Sequence, residues 1–210
     1  MPLSKIQAES MNLADTYAFS GTVSGVGGLV KISTTTASNA TSVSFTGLDT
    51  TSTYSMYKIV VDNLTAQSDN SALLYAKFGT GSTPTYETSN YVCTYLQAFS
   101  SVSGLQQQNS ATINTNQLFL AGTNSSGYYI PGDTFEFLSG TMDLFRMGDS
   151  SHPPQTNWFF GFPNSGNLAN TAFGTGTFIE SSEKVNGTAI QFYMSTGNIN
   201  GTFTLYGVKS

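Results

Sequence analysis

His152 and Cys93 are the only histidine and the only cysteine of this 210-residue chain. Acyl-transfer chemistry needs a nucleophile held beside a base and a group that orients the base. Such a set can be assembled here only around His152, with Asp149 or Asp143 as the orienting carboxylate. No serine flanked by glycines stands in a strand–turn–helix context. His152 is followed by Pro153 and Pro154 in a polar stretch, which reads as an exposed loop histidine. A zinc site wants several clustered Cys and His side chains, and one of each far apart cannot supply them. Calcium wants several acidic or amide oxygens in one short loop. Asp62, Asn63, Asp69 and Asn70 flank residues 65–68, and Asp143 and Asp149 bracket Arg146, but neither set has a regular ligand spacing. Glycine-rich pieces at 79–81 and 174–176 have no lysine after them and no helix to open, so they read as turns rather than phosphate cradles. Twelve acidic side chains leave one catalytic route open, a carboxylate pair such as Asp133 and Glu136 placed across a groove. Cys93 lies in an apolar run, Tyr91-Val92-Cys93-Thr94-Tyr95-Leu96, where a small buried thiol is expected. The chain therefore reads as non-enzymatic, with no cofactor and no metal.

The segment 152–166 holds the only tryptophan, Trp158, with Phe159, Phe160 and Phe162, bounded by Pro153, Pro154 and Pro163. Two readings stand side by side. It is a core strand, aromatic because sandwich interiors are filled by large side chains. Or Trp158 is exposed beside the loop of His152, and the two contact a glycan or a protein partner. Strict alternation puts Trp158 and Phe160 on one face and Phe159 on the other. Both faces are then apolar, which suggests a strand covered on two sides, the second cover being a neighbouring subunit.

The elements that must position these residues read as strands. Charged side chains are 9% of the chain, 7 basic against 12 acidic for a net charge of −5, so Ser, Thr, Asn and Gln must supply the wet surface. Disorder is the other low-charge outcome, but 13% aromatics and recurrent Val, Ile and Thr favour folding. Seven scattered cations cannot follow a phosphate backbone, so nucleic acid is not expected as a partner. No apolar run approaches the ~20 residues that span a bilayer, and residues 1–15 lack the apolar core of a signal peptide, so neither membrane insertion nor conventional secretion is expected. Five N-glycosylation sequons, at Asn39, Asn63, Asn124, Asn186 and Asn200, then read as chance in a chain this rich in Asn, Ser and Thr.

From residue 29 the hydrophobic period is two. Strands are expected at 29–34, 43–45, 57–64, 73–78, 91–99, 112–120, 134–138, 141–147, 157–162, 173–179, 188–194 and 202–208. Asp62 and Asn63 are expected to close the third of them. Asn186-Gly187 and Asn200-Gly201 read as tight hairpin turns, the second making a hairpin of 188–208. Helix signals are weak, limited to a turn within 4–14 and another at 181–184. The fold expected is all-β, a single jelly-roll-like antiparallel β-sandwich over residues 29–210 with an extended N-terminal arm over 1–28. The arm carries spaced apolar anchors, Ile6, Met11, Leu13, Tyr17 and Phe19, on a polar string, then Gly21, Gly25, Gly27 and Gly28. It cannot make a core of its own and is expected to order against another surface.

Two stretches carry a resemblance. One is Ser44-Phe45-Thr46-Gly47-Leu48-Asp49 followed by Tyr57-Lys58-Ile59-Val60-Val61-Asp62-Asn63-Leu64 and Leu73-Leu74-Tyr75-Ala76-Lys77-Phe78-Gly79; the other is 195–208, ending Thr202-Phe203-Thr204-Leu205-Tyr206-Gly207-Val208. Together they resemble a β-sandwich module of tailed-bacteriophage virion proteins, found as a tail-fibre tip or head decoration. Residues 11–23 resemble the stretch that joins a fibre stem to such a module. The likeness covers about two-thirds of the chain and brings no catalytic residues. It implies a virion location, contacts with major capsid or tail proteins, a homotrimer, and a capsid decoration, head fibre or short tail appendage rather than a long fibre. The alternative it implies is a host-receptor or glycan-binding module.

Overall fold

Val43 and Phe45 are buried while Ser44 and Thr46 face solvent, and that alternation repeats through most of the chain. The computed structural model describes residues 28–51, 53–67, 71–101, 104–122, 129–132, 136–163, 168–179 and 186–209, with backbone alone for 101 and 105–114. The arm residues Ile6, Met11, Leu13, Tyr17 and Phe19 lie outside the described residues, as do Asp69, Asn70, Asp133 and the possible turn at 181–184.

Among the described residues there are thirteen strands and no helix. They are β1 (Leu29–Ala40), β2 (Val43–Thr46), β3 (Met56–Ala66), β4 (Leu74–Thr80), β5 (Thr85–Tyr86), β6 (Tyr91–Ser101), β7 (Gly104–Thr115), β8 (Leu118–Ala121), β9 (Leu138–Phe145), β10 (Gln155–Pro163), β11 (Ala169–Phe178), β12 (Gly187–Met194) and β13 (Ile199–Val208). They form an antiparallel sandwich of unequal sheets. The larger has eight strands in the order β1-β13-β3-β9-β10-β11-β6-β7, the smaller runs β2-β12-β4-β5, and β8 pairs with β4. The two-sheet antiparallel sandwich is thus as expected.

The core fills from the inward faces of both sheets. Ile59, Val61, Met142, Leu144, Trp158, Phe160 and Phe203 come from the large sheet, and Phe45, Leu74, Phe78, Ile190 and Phe192 from the small one. Phe192 and Phe203 meet across the sandwich with ring centroids 5.2 Å apart. Burying each such ring contributes about 2–3 kcal/mol, and this apolar layer is what holds the fold, since a single buried cysteine, Cys93, can form no disulfide within the chain.

Several sequence expectations need correction. Asp62 and Asn63 do not end β3. Asn63 takes φ 52° at a bulge, the strand continues, and Leu64 and Ala66 return to the core. Gly201, at φ +135°, is not a hairpin turn but lies inside β13 at the matching irregularity. A Cβ there would sit 2.8 Å from Leu64 Cα, so the close approach of the two backbones requires glycine. Residues 188–208 are not a hairpin either, because β12 and β13 belong to different sheets. Residues 195–198 carry the chain across, held by Ser195 N–H on Leu73 O (2.9 Å) and Gln67 N–H on Asn198 O (2.8 Å). Gly187 opens β12 opposite Thr80 instead of turning a hairpin. The single strand expected at 112–120 is the end of β7 plus β8; of the one expected at 134–138, residues 134 and 135 lie outside the described residues, 136 and 137 are not strand, and Leu138 begins β9.

Candidate functional site

The loop between β9 and β10 brings the candidate catalytic groups together. Arg146 takes φ 57° and Gly148 φ 78°, folding the chain so that the Asp149 carboxylate accepts from Ser151 N–H at 2.7 Å and meets His152 Nδ1 at 2.8 Å. Arg146 Nη1 is 3.6 Å from the same carboxylate. The Ser151 amide, and after it the His152 ring, hold Asp149 below the usual carboxylate range. The loop is docked on residues 47–51. Thr50 donates through N–H and Oγ1 to Met147 O at 2.6 and 2.8 Å, and a Cβ on Gly148 would meet Asp49 Oδ1 at 2.7 Å.

Among the described residues no serine, threonine or cysteine side chain is hydrogen-bonded to His152. Asp149, not Asp143, is the partner of His152; Asp143 forms an ion pair with Lys58 on the neighbouring strand β3. Among the described residues, Asp149 is the only hydrogen-bond partner of His152, whose side chain is 55% exposed. The pair serves to close the loop, as an Asx-type turn does. The two calcium candidates are also spread out. Asp62 accepts from Ser139 Oγ and from Asn63 Nδ2, while Asp143 and Asp149 serve different partners. Among the described residues no three His, Cys, Asp or Glu side chains gather as a metal site. Glu136 is buried.

Trp158 belongs to the core. It is 4% exposed, on the inward face of β10 with Phe160 and Phe162, so no sugar or partner can stack on it without opening the sandwich. The glycan-contact reading of Trp158 is corrected on that ground, and it leaves His152 alone at the surface. Gly174 and Gly176 make room for the indole. A Cβ on Gly174 would lie 2.5 Å from Trp158 Cζ2, and one on Gly176 would lie 2.5 Å from Leu118 Cδ2. Both glycines are inside β11, which overturns the expectation of a turn at 174–176. Among the described residues the Trp158 Nε1–H has no acceptor.

Alternation does place Phe159 on the opposite face, where it is 58% exposed. Directly across from it in register stands Phe173, 43% exposed, and Leu96 follows on β6. The sequence shows Phe159 facing away from Trp158, but the pairing register that sets Phe173 beside it is a property of the assembled sheet.

No family model, no curated protein and no solved structure matches this chain.

Three phenols bear on stability, those of Tyr91 and Tyr95 buried and that of Tyr193 half-buried. Tyr91 OH accepts from Phe78 N–H at 2.8 Å, Tyr95 OH donates to Gly122 O at 2.7 Å, and Tyr193 OH bonds Gln117 Oε1 at 3.1 Å. Burial raises all three, Tyr95 and Tyr193 to about 12, from an ordinary 10.0. Folding therefore favours the neutral phenols, and their stabilisation is complete below pH 10 and is lost as pH rises towards 12. Thermal unfolding followed by circular dichroism should show a midpoint flat up to about pH 9 and falling steeply above pH 10, with part of the fall removed by Tyr95→Phe. A midpoint unchanged through that range would contradict this.

Proposed function

We propose that this chain is a non-enzymatic virion structural protein, a capsid decoration or a short head-fibre or tail appendage. Residues 1–28 anchor it to capsid or tail protein, and the sandwich faces outward. The observation that carries the reading is the position of Leu29, which starts β1 at the edge of the larger sheet and pairs with Val208 of β13. The residues before Leu29 therefore join the sandwich at the edge of the larger sheet, beside the end of the last strand. The surface suits repeated packing of copies, because it is built mostly from hydroxyl and amide side chains with few charges to desolvate. The segments that carry the phage resemblance lie in β2, β3, β4 and β13, strands from both sheets, so the likeness concerns the framework and not one loop.

The test is deletion of residues 1–20. The shortened chain keeps the circular-dichroism spectrum and unfolding midpoint of the full chain, yet its binding to purified particles drops to background. A shortened chain that still decorates particles would overturn the anchor.

A further inference from the structure

We infer that the outward face of the larger sheet, centred on Phe159 and Phe173, is a contact surface for a second copy of this chain. Two large aromatic rings at 58% and 43% exposure are directly opposed in mid-sheet, and their row continues as Val60-Thr141-Phe159-Phe173-Leu96 across five strands. Exposed aromatics side by side in mid-sheet are the kind of patch that marks an interface.

Charge and size point to a second copy as the occupant. The outward residues of β10, β11 and β6 are Gln, Asn, Phe, Gly, Pro, Ala, Thr, Val, Leu and Ser, without one charge. On the adjoining β3 and β9, Lys58 and Asp143 neutralise each other, and Asp62 is bonded by Ser139. A chain of net charge −5 would repel its own copy at an acidic surface, but on this face the charges are few and mixed, Lys58 against Asp143 and Asp62, so like-charge repulsion between two copies is small. A basic partner would find no acidic patch here, and an acidic one no cluster of cations. Six strands, β13 to β6, spaced about 4.8 Å apart and about 30 Å long, present roughly 800 Å², the share each partner gives to a standard interface. The patch is also self-complementary. With an axis lying in the contact plane between β10 and β11, a half-turn sets Phe159 of each copy over Phe173 of the other, so one aromatic pair satisfies both sides.

Light scattering coupled to size exclusion, on the full 210-residue chain at micromolar concentration, tests this. The expected mass is twice 22.3 kDa, falling to 22.3 kDa for Phe159→Thr/Phe173→Thr, with circular dichroism and unfolding midpoint unchanged. Threonine keeps the strand preference at both positions. Thr171→Glu, two residues from Phe173 on the same face, leaves the rings in place and also yields the monomer, through like charges brought together; it carries the test should the double variant fail to fold. A monomeric wild-type chain, the outcome expected if the face serves a different partner, overturns the proposal, and so does the homotrimer that the phage resemblance implies, which a two-fold contact cannot build. So does a variant that folds and retains the larger mass.

Discussion

Gly140→Ala lowers the unfolding temperature by about 10 °C or prevents folding, whereas Gly161→Ala leaves it within a few degrees of the parent. Both glycines lie in the larger sheet, facing opposite sides of it. Gly140 points inward from β9, where an added Cβ would collide with Phe159 O and stand 2.8 Å from Phe160 Cα. Those atoms are backbone of the paired strand β10, so no rotamer change relieves the clash and the two strands must part. Overpacking costs about 1–3 kcal/mol where side chains can give, and more where backbone must move. At Gly161 the nearest atom to a Cβ is Asn170 O at 3.9 Å, and alanine there also restricts the unfolded chain. Thermal unfolding of the two variants decides it, and equal midpoints would contradict the close β9–β10 approach.

The second large effect is expected from Trp158→Ala, a loss of about 3–5 kcal/mol in urea unfolding, against less than about 2 kcal/mol for Trp158→Phe. The indole fills the space above Gly174 and Gly176, and alanine leaves that space empty inside a layer that cannot collapse onto it. Phenylalanine restores most of the volume and gives up no hydrogen bond, because the Nε1–H has no acceptor among the described residues. A Trp158→Ala protein as stable as the parent would place the ring outside the core and restore the stacking role considered from the sequence.

The strands were legible where one face is wet and the other dry. Val43 and Phe45 against Ser44 and Thr46 declare β2 without help from any other part of the chain. What escaped depends on contacts distant in sequence. Asn200-Gly201 carries the composition of a hairpin turn, yet Gly201 is glycine because Leu64 backbone crosses it, which no window around residue 201 contains. Gly174 and Gly176 look like turn residues for the same reason; their missing Cβ atoms accommodate Trp158, sixteen positions before Gly174 and paired with it across the sheet. Of the candidate site, His152 and Asp149 were legible as a pair because they are three residues apart. The aromatic patch was half legible: alternation turned Phe159 outward, but only the register of β10 against β11 brings Phe173 to it.

Quantitative mass spectrometry of purified particles, from the source that encodes this chain, addresses the virion assignment directly. The account predicts that the chain co-sediments with particles at a fixed copy number relative to the major capsid or tail protein, and that deletion of residues 1–20 removes it from them. A chain found only in the soluble fraction, absent from washed particles, would contradict the assignment.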